Sequence, residues 1–401
     1  MPRILRILNR FNLGGPTYNA AYLTRYLEPE FETLLIGGPN ENTEKNSEYI
    51  VKDLGISPLI IPEMRRELSP FNDLMALKRI KNIIRDFKPD IIHTHASKAG
   101  ALGRQAALAM DVPVIVHTFH GHVFDAYFSN LTSGVYKNIE RFLAARTDAI
   151  IAISENQKAD LTSRYKICSP EKVHVVPLGF DLSRFREDMD LKRKLFREKY
   201  QLADDEIAIG IVGRLVPIKN HNMFLNAFKY VTEHSTQKVR AFVVGDGESM
   251  EQVKEYASSL GICYSNGNNY NPDARLTFTS WVKEMDFVNA GMDIIALTSL
   301  NEGTPVSLIE AQAAGKPIVS TRVGGIENVV IPDRTAILAD RYDVETFSKG
   351  LLALTENPEM RENFSKEGWD FVKEKFHYER LVNDFRLLYR QLLQKSYSNA
   401  G

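Results

Sequence analysis

Between Asn301 and Thr321 the chain reads NEGTPVSLIEAQAAGKPIVST, with Glu302 and Glu310 eight residues apart around a Thr304–Pro305 pair. Thr before Pro is the pattern of a helix N-cap followed by the first helical residue. A helix starting there presents free N–H groups and the positive end of its dipole, an anion site well suited to phosphate. Glu302 and the Gly303–Thr304 backbone then lie beside whatever the phosphate carries. Glu310, farther along the helix, can accept hydrogen bonds from hydroxyls on the other side of the phosphate. A nucleoside diphosphate sugar has hydroxyls on both sides of its phosphates and fits such a pair. Taken singly, each glutamate is equally well explained as a solvated surface carboxylate.

Other chemistry-bearing residues sit where apolar runs end. IAIGIVGR ends in Arg214, with Lys219 five residues later in GRLVPIKN. An Arg fork and a Lys point charge at one strand end can clamp a diphosphate, although solvated loop charges read the same way. The first apolar run leads into NLGGPTYNAAYL, where Gly14 and Gly15 allow backbone to approach a ligand closely or simply make a tight turn. VVGDGES carries Gly245 and Gly247 at a third strand end. Neither glycine pair completes a dinucleotide-binding G-x-G-x-x-G, which argues against a dehydrogenase. HTFHGHVF offers His117, His120 and His122, and DIIHTH offers His93 and His95. Strand alternation turns His117 away from the tip. The one D-x-D, Asp188–Asp190 in REDMDLKRK, follows no strand and reads as a solvated charged helix rather than a metal site. Cys168 and Cys263 fit no metal-ligand spacing and no disulfide framework.

These groups require a scaffold that gathers strand ends. ILRILN, TLLIGG, PLIIP, DIIHTH, PVIVHTF and AIIAIS are continuous apolar runs separated by helical patterns, the signature of buried parallel strands in an α/β doubly wound domain. The alternation restarts with EIAIGIVGR, VRAFVVGD, RLTFTS, MDIIALTS, KPIVST and TAILAD, then gives way to helix from Asp343 to Gln394. The 401 residues therefore divide into two Rossmann-like domains, 1–185 and 186–375, with a tail at 376–401. The crossing falls near VVPLGFDLSRF, and YSNGNNYNPDAR reads as an exposed polar loop. Ligands of open α/β sheets bind beyond the carboxyl ends of strands, so two such domains facing one another would form a deep cleft. Composition, 44% hydrophobic and 25% charged, is that of a soluble globular protein, and a net charge of −1 gives no reason to expect nucleic acid as a partner. The opening MPRILRILNRF lacks a signal-peptide apolar region, and no run approaches the ~18 apolar residues of a membrane span. The expected compartment is the cytoplasm. The basic stretch DLMALKRIKNIIRDFK reads as an ordinary exposed amphipathic helix or as a peripheral contact with the inner face of an anionic membrane.

The E-x7-E spacing of Glu302 and Glu310 resembles that of retaining glycosyltransferases with the GT-B fold, family 4 (group 1 type). The likeness extends in order through Gly14–Gly15, HTFHGHVF, IAISENQKADL, VVPLGFDLSRF, GRLVPIKN, VVGDGES, NEGTPVSLIEAQAAGKPIVST and FHYERLVNDFRLLYRQLL. The resemblance implies that the second domain holds a nucleotide-sugar donor, the first holds the acceptor, and the terminal helix packs back on the first. It assigns Arg214 and Lys219 to the diphosphate, Glu310 to the ribose hydroxyls, and Glu302 with the Gly303, Thr304, Pro305 and Val306 backbone to the donor sugar. It assigns Gly15, with Gly14 beside it, to the donor phosphate and His120 to the reacting sugar. His93 and His95 are left with either a supporting role or plain packing. The implied activity is retaining transfer of a hexose, from a UDP-sugar, to a hydroxyl of a glycan, lipid-linked or small-molecule acceptor in surface polysaccharide or glycolipid assembly. No cofactor or metal is expected, because cations and a helix dipole already meet the leaving charge. The chain departs from the family at FTSWVKEMD, where an apolar-Gly turn is usual, and Trp281 there either stacks on the base or packs. The acceptor is expected to be chosen by IPEMRRELSPF and FDAYFSNLTSG. A nucleotide-sugar epimerase of the same fold and a non-catalytic glycan-binding scaffold are the alternatives; the first would act on donor alone and the second would bind no nucleotide.

Overall fold

A computed structural model describes residues 1–11, 15–39, 48–65, 67, 69–120, 130–267 and 271–400. The chain forms two compact units, Met1–Phe180 with Phe376–Gly401, and Asp181–Lys375. The change of unit falls at Phe180 rather than at Phe185, and Arg184 lies beside Glu310 of the second unit.

The first unit holds β1 (Arg3–Arg10), β2 (Glu32–Gly38), β3 (Leu59–Ile60), β4 (Ile91–His95), β5 (Val114–Thr118), β6 (Ala149–Ala152) and β7 (Val173–Val175). They form one parallel sheet in the order β3-β2-β1-β4-β5-β6-β7. Because side chains alternate along a strand, each apolar run feeds two cores. Ile4, Ile91, Val114 and Val116 meet Leu381, Phe385, Tyr389 and Leu393 of the terminal helix Tyr378–Ala400. Leu5, Ile7, Ile92 and Ile115 meet Ile80 and Ile84 of helix Pro70–Phe87 and Ala106 of helix Ser97–Ala109 on the other face. The same alternation places Arg6, His93 and Thr118 under the terminal helix and turns Thr94 and His117 the other way. The tail thus completes the first unit. Its start is fixed where the chain leaves and returns: Phe180 N donates to Phe376 O (2.8 Å) and Tyr378 N to Phe180 O (3.0 Å). Tyr378 also stacks on Tyr22 and Tyr26 of helix Gly15–Tyr26, at 5.2 and 4.6 Å between ring centres.

The second unit repeats the plan with β8 (Ile207–Val212), β9 (Val239–Val244), β10 (Tyr264–Asn266), β11 (Leu276–Ser280), β12 (Ile294–Leu297), β13 (Ile318–Thr321) and β14 (Ala336–Ala339). The sheet is again parallel, in the order β10-β11-β9-β8-β12-β13-β14. Tyr264–Asn266, expected to be loop, is instead the edge strand β10. Its polar residues carry no strand pattern because an edge position pairs on one side only. In each sheet the strand order reverses once, between β1 and β4 and between β8 and β12, and the carboxyl ends at such a point frame a crevice where ligands bind.

Candidate active site

In the second unit the reversal point gathers the residues singled out by type. Beyond β8 come Gly213 and the exposed Arg214, then a 3-10 turn at Pro217–Lys219. Beyond β12 come Thr298, Ser299 and Glu302. The two loops are laced together by Leu300 N donating to Ile218 O (2.8 Å) and Thr298 Oγ1 to Lys219 O (3.0 Å). Lys219 Nζ is hydrogen-bonded and ion-paired to Glu302 Oε1, and Ser299 Oγ donates to the same oxygen at 2.6 Å. Two donors on Oε1 fix the carboxylate in place. Lys219 is therefore a partner of Glu302 in this arrangement and not a second independent cation beside Arg214.

Two pairs of glycines support these loops by backbone contact. A Cβ on Gly245 would lie 1.9 Å from Gly213 O, and one on Gly247 would lie 2.3 Å from Leu215 O. The VVGDGES turn is thus pressed against the loop carrying Arg214, and Leu215 N donates to Asp246 O at 2.9 Å. Gly324 (φ +54°) and Gly325 do the same for the other loop: their Cβ atoms would lie 2.0 Å from Glu302 O and 1.8 Å from Gly303 O. Gly325 N also donates to Glu302 O at 2.9 Å. The Gly-Gly pair in STRVGGIEN was the available signal for this second support, and its partner loop was not identifiable from sequence.

The helix after Glu302 spans Val306–Ala313. Its cap is Pro305, in an extended conformation, and no side chain caps it. Thr304 is therefore one residue ahead of the cap position expected for it, because Pro305 takes ψ 99°, outside the helical range. Among the first N–H groups, Leu308 N bonds back to Pro305 O (3.1 Å), and those of Val306 and Ser307 have no acceptor within the helix. Glu310 lies in the second turn with its side chain 14% exposed. Burial pushes its carboxyl up to about 7, Arg184 draws it down and Asp286 adds to the rise. Arg184 Nη2, from the VVPLGFDLSRF stretch, stands 4.0 Å from Glu310 Oε1, a pairing the sequence did not indicate. Trp281 is 42% exposed and lines a hollow with Lys199, Tyr200, Thr279 and Lys283 that includes none of Arg214, Lys219, Glu302 or Glu310.

In the first unit Gly15 opens the helix after β1, where a Cβ would meet Leu178 Cδ1 at 2.9 Å; Gly14 and His122 lie outside the described residues. His120 is half-buried just past β5, and its Nε2 is 2.9 Å from His95 Nδ1. Burial lowers His120 to about 3, and it holds His93, His95 and His117 well below the ordinary histidine range, aided by Arg6 at His93 and by Arg104 at His117. Burial thus favours the neutral form of all four rings. His93 bonds to Arg6 (2.7 Å), Tyr389 (2.6 Å) and Thr118 (2.7 Å). His117 faces the opposite core, with Nδ1 2.8 Å from Thr94 Oγ1. Among the described residues no group of three or more His, Cys, Asp or Glu could hold a metal ion. Asp188 and Asp190 are exposed at the start of helix Met189–Lys199.

An uncapped helix start, a fixed carboxylate and an exposed arginine at one reversal point can bind an anion and the polar group attached to it. Known proteins resemble this chain in sequence and fold. Residues 13–184 match the family described as Glycosyltransferase Family 4, and residues 192–370 match Glycosyl transferases group 1. The chain is 31% identical to the UDP-Gal:alpha-D-GlcNAc-diphosphoundecaprenol alpha-1,3-galactosyltransferase of Escherichia coli, over 82% of this chain and 83% of the relative. It is 26% identical to the capsular polysaccharide biosynthesis glycosyltransferase CapM of Staphylococcus aureus, over 84% and 86%. Among solved structures, HepE of Anabaena in complex with UDP superposes with a TM-score of 0.80 at 17% identity, covering 98% of this chain and all of that one, which is a likeness of fold.

Proposed function

The chain belongs to the family 4, group 1 glycosyltransferases, has their GT-B fold, and on that premise we propose that it transfers a hexose from a UDP-sugar to a hydroxyl of a lipid-linked glycan, with retention at the anomeric carbon and without a metal ion. The observation that carries this reading is the Lys219–Glu302–Ser299 assembly set beside an uncapped helix start at the β8–β12 reversal point. Breaking a sugar–phosphate bond develops negative charge on the diphosphate and positive character on the sugar carbon. Arg214 and the N–H groups at the start of the 306–313 helix stabilise the first as it forms, already oriented and at no cost in reorganisation. Lys219 lends charge to the same side while holding Glu302, which orients the donor sugar beside the backbone of Gly303, Thr304, Pro305 and Val306. Glu310 accepts from the ribose hydroxyls. Gly15 and His120 of the first unit contribute to the donor phosphate and sugar as the family resemblance implies. The acceptor attacks on the face from which the diphosphate leaves.

The E. coli relative acts on a sugar attached to diphosphoundecaprenol, which supports a lipid-diphosphate acceptor here. A surface feature agrees. Phe71 and Leu74 are 74% and 65% exposed at the start of helix Pro70–Phe87, with Lys78, Arg79 and Arg85 exposed behind them. Apolar insertion plus attraction to anionic headgroups is how a peripheral helix holds a membrane, and no helix among the described residues is long and apolar enough to cross one. Co-sedimentation with anionic but not neutral vesicles is the expected result, and equal sedimentation rejects the contact. The function itself is tested by a panel of UDP-, GDP- and TDP-sugars scored for slow hydrolysis with and without chelator, followed by transfer to GlcNAc-diphosphoundecaprenol and NMR of the product anomer. Hydrolysis of a UDP-sugar that persists with chelator, and an axial product from an axial donor, are expected. No hydrolysis of any donor, or conversion of donor to its epimer without acceptor, rejects the reading.

A further inference from the structure

We infer that Thr321 is a positioning residue for Glu302: its hydroxyl, donated to the Ser299 carbonyl, holds the backbone from which Ser299 fixes that carboxylate. The inference rests on the reading of Glu302 as a donor-sugar contact and adds a residue to it.

The geometry begins where the sheet stops. β12 and β13 pair as far as Leu297 and Ser320, and β12 and β8 as far as Ala296 and Ile211. Thr298, Ser299 and the loop to Glu302 lie past the last rung of both ladders. Side-chain hydroxyls continue the pairing there. Thr298 Oγ1 donates to Lys219 O and Asn220 O, both at 3.0 Å, and ties the tip of β12 to the loop after β8. Thr321 Oγ1 donates to Ser299 O at 2.7 Å and ties it to the end of β13 on the other side. The segment after Thr321 keeps following the same loop, with Gly325 N donating to Glu302 O at 2.9 Å.

These bonds run in one direction. A hydroxyl has one proton to give, and a carbonyl oxygen and an ion-paired carboxylate accept. Ser299 gives its proton to Glu302 Oε1 at 2.6 Å, and Thr321 gives its own to Ser299 O. Both side chains lie in residues with no exposed surface, so bulk water does not replace either bond. Among the described residues, Thr321 Oγ1 is the donor that meets Ser299 O. Thr321→Val keeps the shape of the side chain and leaves that buried carbonyl without its donor. An unpaired buried carbonyl is unfavourable, and the loop relieves it by moving. Ser299 and Glu302 move with it, three residues apart on the same loop. A side chain needed for packing alone would tolerate the change. The chain of bonds ends on the carboxylate read as the sugar contact, where Lys219 closes on the same oxygen. Neither Arg214 nor Glu310 is a member of it, which separates its effect on the sugar from an effect on the nucleotide.

The test compares Thr321→Val, Thr321→Ser, Ser299→Ala and the double variant Thr321→Val/Ser299→Ala in the full chain. Turnover is read with the donor selected by the sugar-nucleotide panel, and UDP affinity by calorimetry. Thr321→Val should lower turnover on the order of tenfold to a hundredfold. It should leave UDP affinity within about twofold of the parent, since UDP carries no sugar. Thr321→Ser, which keeps the hydroxyl, should restore turnover. Because the two residues act in series, the double variant should lose about as much as the more damaged single variant. Normal turnover in Thr321→Val overturns the inference. So does a UDP affinity that falls with turnover, or a double-variant loss equal to the product of the single losses. Where Thr321→Val does not fold, Thr321→Cys, with a weak donor of similar size, takes its place, and turnover there equal to that of Thr321→Ser overturns the inference. Normal turnover in Glu302→Gln would remove Glu302 from the donor site and the inference with it. A damaged Glu302→Gln beside an unaffected Thr321→Val overturns the inference alone.

Discussion

The carboxyl of Glu310 shows how one residue's surroundings set a measurable behaviour. Burial raises it to about 7, so near neutral pH it is divided between neutral and ionised forms. A carboxylate that accepts from ribose hydroxyls binds best when ionised. UDP affinity, measured by calorimetry, should therefore be level above pH 7 and weaken below it, approaching tenfold per pH unit, whereas Glu310→Gln should be weak and flat. Stability runs the other way. A folded value above the unfolded one means the native state holds its proton longer, so this group's contribution to stability is full below about pH 4.5 and is lost as pH rises toward 7. Glu310→Gln should gain stability relative to the parent at pH 8 and not at pH 4. A pH-independent UDP affinity in the parent would remove Glu310 from the binding site. Arg214 is the complementary case, an exposed cation to which the proposed mechanism gives a role in the transition state. Arg214→Ala should lower turnover by about 10²–10³ with the melting temperature unchanged, and near-normal turnover would exclude it from the mechanism. Type and spacing marked Arg214, Glu302 and Glu310 as candidates. Ser299 and Arg184 were not marked, since neither residue type nor motif tells which carboxylate a serine or an arginine reaches; only the fold sets them 2.6 Å and 4.0 Å from particular carboxylate oxygens.

Elements position these residues through backbone contacts that allow no side chain between them. Gly324 takes a left-handed φ, and a Cβ there would run into Glu302 O. Gly324→Ala should shift the 301–304 loop, lowering both the melting temperature and turnover. Gly303, in contrast, has nothing within 4 Å of an added Cβ. Gly303→Ala should leave stability within about 0.5 kcal/mol of the parent, so any loss of turnover there reports contact with the donor and not misfolding. A fall in melting temperature for Gly303→Ala equal to that for Gly324→Ala would refute this division. The strands themselves were legible because parallel strands buried on both faces are written as unbroken apolar runs. β7 and β10 were not, because each is an edge strand of only three residues and has no such run. The start of the 306–313 helix was misplaced by one residue for a similar reason: Thr-Pro is compatible with either cap register, and the dihedral angle at Pro305 decides between them.

At the scale of the molecule, the tail is a structural part of the unit that the chain starts with. Leu381, Phe385 and Tyr389 are fully buried against the first sheet, and each such side chain contributes about 1.5–3 kcal/mol, against a typical domain stability of about 5–15 kcal/mol. Ending the chain at Lys375 should therefore leave the first unit protease-sensitive while the second stays folded and still binds UDP. A truncated protein with a resistant first unit would refute this account of the tail. The sequence by itself determined the doubly wound plan, the family and the residues whose types suit a sugar nucleotide, because apolar periodicity and motif spacing are local properties of the chain. Tertiary structure alone decided that Lys219 reaches Glu302, 83 residues away, that His95 meets His120, and that Tyr389 closes beneath His93. A hydrogen bond depends on the placement of two atoms to a fraction of an ångström, and only the assembled sheets and helices fix both ends.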